Sequence, residues 1–123
     1  MIVLVSLPLI PAVSKNRTHR LARGRIITDP AARKWALLTK ALIRRAARGH
    51  RWVADRKVWL VIEVVMPHHR GDAINVLDWV ADAVAAAIGV DDRWFAVILD
   101  WVIKRGCQGE IKVEITQREK EKT

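Results

Sequence analysis

Residues 66–92 read MPHHRGDAINVLDWVADAVAAAIGVDD, and this stretch decides the fold. Its apolar residues recur at helical spacing from about residue 73 to residue 88, which predicts an amphipathic helix. Asp72 is expected to cap the N-terminus of this helix, and Gly89 to end it. One face of this helix is expected to be buried through Leu77, Val80, Val84 and Ile88. Ala81 and Ala87 are expected to lie beside them.

Carboxylates line and flank this predicted helix. Asp72 stands before it, and the pair Asp91-Asp92 follows it. Asp78, Asp82 and Asn75 fall within roughly 60° of one another on a different face from the apolar stripe. Mg²⁺ prefers oxygen ligands and takes one or two carboxylates with water and substrate phosphate, so the stretch predicts a divalent-cation site. The alternative is that Asp78 and Asp82 are ordinary solvated helix charges.

The positive charge is concentrated in one half of the chain. The 123 residues carry a formal charge of +9, and their length predicts one domain. Residues 15–57 hold 14 Lys or Arg against two acidic residues, whereas residues 58–123 hold eight against 11. This distribution indicates a polyanionic partner, either nucleic acid or an anionic membrane. A solvated basic surface with no specific partner is the plainer alternative.

Cysteine content and the apolar N-terminal run narrow the class of protein. Cys107 is the only cysteine, so a disulfide framework and a zinc cluster are excluded and a reducing, cytoplasmic setting is expected. Residues 2–7 predict a β-strand rather than a signal peptide, because no basic residue precedes the run and Pro8 and Pro11 interrupt it. No run of 18 apolar residues exists, so no membrane partner is expected.

The basic half of the chain, residues 15–57, predicts a loop and a second helix. Residues 13–28 are polar and basic, which indicates a surface loop or a short hairpin. Asp29 and Pro30 begin a helix that ends near Gly49. Its core stripe is expected to be Ala31, Trp35, Leu38, Leu42 and Ala46. The opposite side of this helix is expected to carry a basic ridge: Arg33, Lys40, Arg44 and Arg48.

Three stretches in the second half predict strands. Residues 57–66 are rich in β-branched residues and indicate a buried strand, in which Glu63 is interpreted as an edge residue rather than a ligand. Residues 93–104 and 110–116 indicate a strand pair, joined by a glycine-bearing turn. The second of these alternates cleanly, with three residues pointing inward: Ile111, Val113 and Ile115.

The fold class that follows is α+β. A single domain, residues 1–118, is expected to pack one mixed β-sheet against two α-helices. Residues 119–123 are expected to form a charged, flexible tail. Trp94 and Trp101 are interpreted as candidates for a dimer interface.

These residues together resemble the RusA-like Holliday junction resolvases of bacteria and prophages. The N-terminal part is similar to the family's opening strand, its proline-serine-asparagine loop and its arginine-glycine-arginine turn: Leu7-Pro8, Pro11, Ser14-Lys15-Asn16-Arg17 and Arg23-Gly24-Arg25. Further residues follow in the family's order and nearly its spacing: Met66-Pro67, Arg70, Asp72, Asn75, Asp82 and Asp91-Asp92. The resemblance covers nearly the whole chain.

The resemblance implies a RusA-like fold and Mg²⁺-dependent, paired cleavage of four-way DNA junctions by a homodimer, with Mn²⁺ as a substitute metal. Asp72 and Asp92 match the family's metal-binding aspartates, and Asp91 stands beside the second. Arg70 and Lys104 would offset charge near the scissile phosphate. Branched DNA would be gripped by residues of the basic half: Lys15, Asn16, Arg17, Arg20, Arg23 and Arg25.

Two positions depart from the family pattern. Ile74 stands where family members usually carry a second aspartate, and Asp78 where they usually carry a lysine. Asp78 lies one helical turn after position 74, so the hypothesis is a rearranged catalytic site of Asp72, Asp78 and Asp92, with Asp91 as a further candidate metal ligand. One alternative is a non-catalytic branched-DNA-binding protein with a degenerate metal site. Another is a basic protein that binds RNA or an anionic membrane, although no RNA-binding motif supports it.

Overall fold

The computed structural model describes residues 2–10, 19–22, 25–28, 30–67 and 73–118, with the backbone alone in 19–22 and 25–28. Its elements, in chain order, are β1 (Ile2–Pro8), β2 (His19–Ala22), β3 (Arg25–Thr28), α1 (Pro30–Ala46), β4 (Val58–Met66), α2 (Ile74–Ile88), a short 3-10 turn (Asp92–Trp94), β5 (Phe95–Ile103) and β6 (Glu110–Gln117). The predicted α+β class, with a mixed sheet and two helices, is confirmed. No helix among the described residues is long and apolar enough to span a membrane.

Four strands form the main sheet, in the order β1-β6-β4-β5. β4 pairs parallel with β5 and antiparallel with β6, and β6 pairs antiparallel with β1. Parallel neighbours need a crossover connection, and α2 supplies it between β4 and β5. β2 and β3 pair separately as an antiparallel hairpin, which confirms the hairpin alternative for this part of residues 13–28.

β5 and β6 do not pair with each other, so the expectation that they form a strand pair is wrong. β4 lies between them. Their connection crosses the end of β4, where the Lys104 N–H donates to the Met66 carbonyl at 2.7 Å. Gly106 and Gly109 adopt positive φ in this connection (83° and 86°), which lets the six residues turn and cover two interstrand spacings, roughly 10 Å.

The core lies between the sheet and the helices. Inward residues of β4 and β6 are almost completely buried: Val58, Leu60, Ile62, Val64, Ile111, Val113 and Ile115. The predicted alternation of β6 is therefore confirmed. The helices contribute their own buried residues to the same core: Trp35, Ile43, Val76, Val80 and Val84.

α1 buries a different stripe from the expected one. Trp35 is buried as expected, but Leu38 is 50% exposed, and Thr39 and Ile43 lie inside instead. Burial of Thr39 is possible because its Oγ1 donates to the Trp35 carbonyl at 2.8 Å, so the hydroxyl keeps a partner. The expected positions Ala31 and Leu42 are exposed and half-buried respectively.

α2 follows its predicted course with two differences. Its N-cap is Ala73, which makes no side-chain capping bond, while Asp72, the expected cap, lies outside the described residues. Val76 is fully buried where Leu77 was expected. Gly89 ends the helix as predicted, in the left-handed conformation (φ 73°) that glycine adopts without strain.

Trp35 connects α1 to β1 and to α2. Its indole Nε1 donates to the Pro8 carbonyl at 2.6 Å, which fixes the helix to the end of β1. Its ring meets that of Trp79 edge-on, with centroids 6.2 Å apart and an interplanar angle of 86°. The basic helix is therefore held directly against α2.

The face of the sheet away from the helices is open to solvent. Glu63 lies on this open face in the central strand β4, so its interpretation as an edge residue is wrong. Its carboxylate is 3.9 Å from Nζ of Lys112 on the neighbouring strand β6. A carboxylate is tolerated in a central strand here because that face of the sheet is partly solvated.

Candidate metal and nucleic-acid site

Three carboxylates lie near one another on α2 and just after it. Asp78 and Asp82 are exposed and four residues apart, so their Cβ atoms are about 6 Å apart. Asp92 opens the 3-10 turn that follows the helix. Partial burial, and then the charges of Asp92 and Asp78, raise the pKa of Asp82. The three side chains therefore interact electrostatically, and we call Asp78, Asp82 and Asp92 the acidic cluster.

Asp91 has a structural role beside the acidic cluster. It is the N-cap of the 3-10 turn, since its Oδ1 accepts from the Arg93 N–H at 3.0 Å and its carbonyl from the Trp94 N–H at 3.1 Å. The hydrogen bond from the Arg93 backbone, followed by one with the Asp92 carboxyl, lowers the pKa of Asp91. Asp91 thus stays ionised and holds the turn that carries Asp92.

The chemistry of the acidic cluster fits a hard divalent cation. Its donors are all carboxylate oxygens, and all three side chains are exposed, so water could complete a coordination shell. A cation would also relieve the repulsion that helps to raise the pKa of Asp82. Among the described residues, however, no group of three or more His, Cys, Asp or Glu side chains is arranged to hold a metal ion. The three carboxylates of the acidic cluster are therefore not by themselves arranged around one cation.

Asp82 is the member of the acidic cluster that the sequence did not assign to the metal site. The signal was present, because Asp82 follows Asp78 by one helical turn and shares its face. The structure adds that burial, and then the charges of Asp92 and Asp78, raise the pKa of Asp82. The charges of both Asp78 and Asp92 act on Asp82, so we include Asp82 in the candidate site.

The predicted ligands are distributed along the whole of α2. The helix has 15 residues and rises about 22 Å from start to end. Asp72 lies outside the described residues and directly precedes the N-cap Ala73, whereas Asp92 follows the C-terminus. Ile74, the first helical residue, is 62% exposed, so this position is accessible although its side chain cannot bind a metal.

Lys104 is distant from the acidic cluster of its own chain. It directly follows β5, whereas Asp92 precedes that strand, and the nine residues of β5 alone span roughly 26 Å. The side chain of Lys104 is exposed at the end of the sheet where β4 also ends. Lys104 therefore cannot offset charge on a phosphate bound at Asp92 of the same chain.

α1 provides an exposed cationic surface. It contains no acidic residue, and its exposed basic side chains are Arg33, Lys34, Arg44 and Arg45. The contact between Trp35 and Trp79 places the first turns of this helix beside the part of α2 that carries Asp78. The first half of the cationic helix therefore packs next to the residue that follows Asp78 on α2.

The other predicted DNA-binding residues belong to residues 15–25 and to the stretch before α2. Arg20 lies in β2 opposite Ile27, and Arg25 lies in β3 opposite Ala22, so both stand on one short hairpin. The remaining ones lie outside the described residues: Lys15, Asn16, Arg17, Arg23 and Arg70. Their roles stay predictions.

The two tryptophans proposed for a dimer interface lie close to the acidic cluster and on β5. Trp94 is half-buried, with the Arg93 guanidinium carbon 5.9 Å from its ring centroid. Trp101 is 50% exposed on β5. A role in dimerisation stays a prediction for both.

The chain has the fold and site of a small α+β domain with a carboxylate cluster beside a cationic helix. No protein-family model matches it, and no curated protein is significantly similar to it in sequence. The resemblance to RusA-like resolvases therefore rests on the quoted residues alone and stays a hypothesis.

Proposed function

We propose that the protein is a Mg²⁺-dependent, structure-specific endodeoxyribonuclease that resolves four-way DNA junctions by paired phosphodiester cleavage. The observation that carries this proposal is the acidic cluster on and after α2, with the cationic helix α1 packed beside it. Carboxylates hold hard divalent cations, and arginine and lysine neutralise backbone phosphates. A phosphodiesterase needs both groups at the same place.

In the proposed reaction each part of the site has a separate task. Asp72, Asp78 and Asp92 are the metal ligands, and Asp82 adds negative charge that favours cation binding. A bound Mg²⁺ would lower the pKa of its water and offset charge on the transition-state phosphate. Basic residues of α1 and of the hairpin hold the DNA backbone, which positions the junction but carries no sequence information.

A homodimer is part of the proposal, because paired cuts across a junction need two equivalent sites. The length of α2 supports a site shared between copies. Ligands of one Mg²⁺ lie within about 5 Å of one another, whereas the first residue of this helix, Ile74, lies about 12 Å along the axis from Asp82, whose pKa the Asp92 charge raises. We therefore propose that Asp72 of one copy and Asp92 of the other serve the same cation.

The test of the activity is a cleavage assay on a four-way junction and on a duplex of the same sequence, with Mg²⁺, Mn²⁺ or EDTA. Paired, metal-dependent nicks in the junction alone are expected. Asp92→Asn should abolish them, whereas Asp100→Asn should not, because Asp100 is also an exposed aspartate but lies on β5 outside the acidic cluster. Nicking that survives in Asp92→Asn, or equal cleavage of the duplex, would contradict the proposal.

Subunit mixing tests whether the site is shared. Asp72→Asn and Asp92→Asn protomers are each inactive alone, but a mixed dimer would keep one site with both aspartates intact. The expected product is a single nick instead of a pair. If the two aspartates act within one chain, the mixed dimer has no intact site and gives no nick.

A non-catalytic branched-DNA-binding protein is the second candidate. The observation that favours it is the exposed Ile74 at the first position of α2, with a carboxylate at position 78. Tight junction binding without nicks under any metal would support this candidate. Cleavage that appears in the double variant Ile74→Asp/Asp78→Lys would then show that these two side chains abolished the activity.

A cytoplasmic location belongs to the proposal. Cys107 is the only cysteine and is a free, half-buried thiol, which suits a reducing compartment. Recombination and repair of chromosomal or prophage DNA take place in that compartment in bacteria. Cell fractionation with an antibody against the protein would test the location.

A further inference from the structure

The open face of the sheet carries apolar and acidic side chains together. Leu4 on β1 is 72% exposed, and Ile98 on β5 is 54% exposed. Both belong to one row of residues across the four strands: Leu4, Glu114, Val61 and Ile98. The charged residues on this face of the four described strands are four carboxylates and one lysine: Glu63, Asp100, Glu110, Glu114 and Lys112. We call this row and these charged residues the acidic face.

The acidic face has a net negative charge in a basic protein. Nζ of Lys112 is 3.9 Å from the carboxylates of both Glu63 and Glu110, so one cation is shared between two anions. Four carboxylates and one lysine give this surface a formal charge of −3, whereas the whole chain carries +9. Positive charge lies beyond its border, where two cations contact the Trp59 ring near the start of β4: Lys57 and Arg118. A shallow concavity of about 570 Å³ between Leu4 and Glu63 gives room for the side chains of a partner.

The outer surface of α1 has the complementary composition. The helix contains no acidic residue and five basic ones: Arg33, Lys34, Lys40, Arg44 and Arg45. Two leucines lie between the basic pairs at its two ends, and Leu37 is 73% and Leu38 50% exposed. Contacts with backbone phosphates would leave both leucines in water, because phosphate oxygens offer no apolar surface. Exposed leucines ringed by cations instead match a partner surface that is both apolar and acidic.

We propose that α1 of one copy docks on the acidic face of a second copy. Two acidic faces would repel each other, and so would two copies of α1, so charge complementarity disfavours both symmetric pairings and favours this one. The dimensions also agree. Arg33 and Arg44 lie about 16 Å apart along α1, and the carboxylates of Glu110 and Glu114 are separated by about 14 Å along β6.

The position of the two surfaces decides the type of assembly. α1 packs on one side of the sheet and the acidic face lies on the other, so two copies cannot exchange this contact reciprocally. Such a head-to-tail contact builds rings or open chains of copies. Each contact covers a helix that the proposed function assigns to DNA, but the inference does not rest on that function.

Sedimentation velocity of two variants and their mixture, without DNA or metal, tests the contact. Variant X, Arg33→Gln/Leu37→Gln/Arg44→Gln, removes the docking groups of α1 and keeps the acidic face. Variant Y, Leu4→Lys/Glu114→Lys, disables the acidic face and keeps α1. Wild-type protein should form species larger than a dimer as its concentration rises to about 100 μM. X and Y should each lose this association alone, whereas their equimolar mixture should form one contact per pair and no longer chain.

The mixture also provides the internal controls. A complex of X with Y shows that both variants are folded, and any contact through another surface would already be present in X or Y alone. Asp55→Lys/Arg105→Gln changes charges outside both surfaces and should associate like the wild type. Raising salt from about 50 mM to about 500 mM should weaken the wild-type association roughly tenfold or more.

Two results would overturn the inference. One is wild-type protein no larger than a dimer at about 100 μM, and the other is a mixture of X and Y that is no larger than X or Y alone. An X–Y complex formed by a protein that cuts no DNA would support the contact and remove only the proposed activity.

Discussion

Gln117→Leu should destabilise the protein strongly although it removes no charge and little volume. Gln117 is 3% exposed at the end of β6. Its Oε1 accepts from the Val53 N–H at 2.8 Å, and its Nε2 donates to the carbonyls of Val53 at 2.8 Å and Arg56 at 3.0 Å. These three bonds fix the irregular segment between α1 and β4 to the sheet. Leucine can make none of them.

The expected loss in the free energy of unfolding follows from these bonds. At about 1 kcal/mol net for each, the loss is about 3 kcal/mol. With a urea m-value of about 1.5 kcal/mol/M, the unfolding midpoint should fall by about 2 M. Gln108→Leu is the matched control, because Gln108 is exposed in the connection between β5 and β6, and its change should stay within about 0.5 kcal/mol. A loss below about 1 kcal/mol for Gln117→Leu would refute the reasoning.

Two further predictions concern the charged surfaces. The raised pKa of Asp82 means that its ionised form opposes folding at neutral pH and that this effect disappears as pH falls through the raised value. Asp82→Asn should therefore stabilise the protein at pH 7. The difference in thermal unfolding temperature between variant and wild type should vanish below about pH 3.9, the usual pKa of an aspartate in an unfolded chain. A constant difference at all pH values would contradict this cause. Arg44→Gln/Arg45→Gln should reduce the slope of log K against log salt for junction binding by up to about 1.8, if both side chains contact phosphate. Lys112→Gln, which removes a cation from the open face, should leave the slope unchanged, and an equal reduction there would show that the effect is only one of net charge.

Local patterns predict this fold well where one interaction decides the outcome. The alternation of Ile111, Val113 and Ile115 identified the buried face of β6, because a strand with one buried face has only one way to orient these side chains. Leu38 and Thr39 show the limit. Both positions border the stripe through Trp35, and hydrophobicity alone favours Leu38, whereas Thr39 is buried because its own helix accepts a hydrogen bond from its hydroxyl.

The order of the strands depended on contacts distant in sequence, and so did part of the candidate site. The sequence placed β5 and β6 side by side, whereas β4 takes the position between them. The spacing of Asp78 and Asp82 predicted that they share a face of α2, which is a local property. The separation of Lys104 from Asp92 was predictable too, because it follows from the extended strand between them, whereas the packing of Trp35 against Trp79 depends on residues that are distant in sequence.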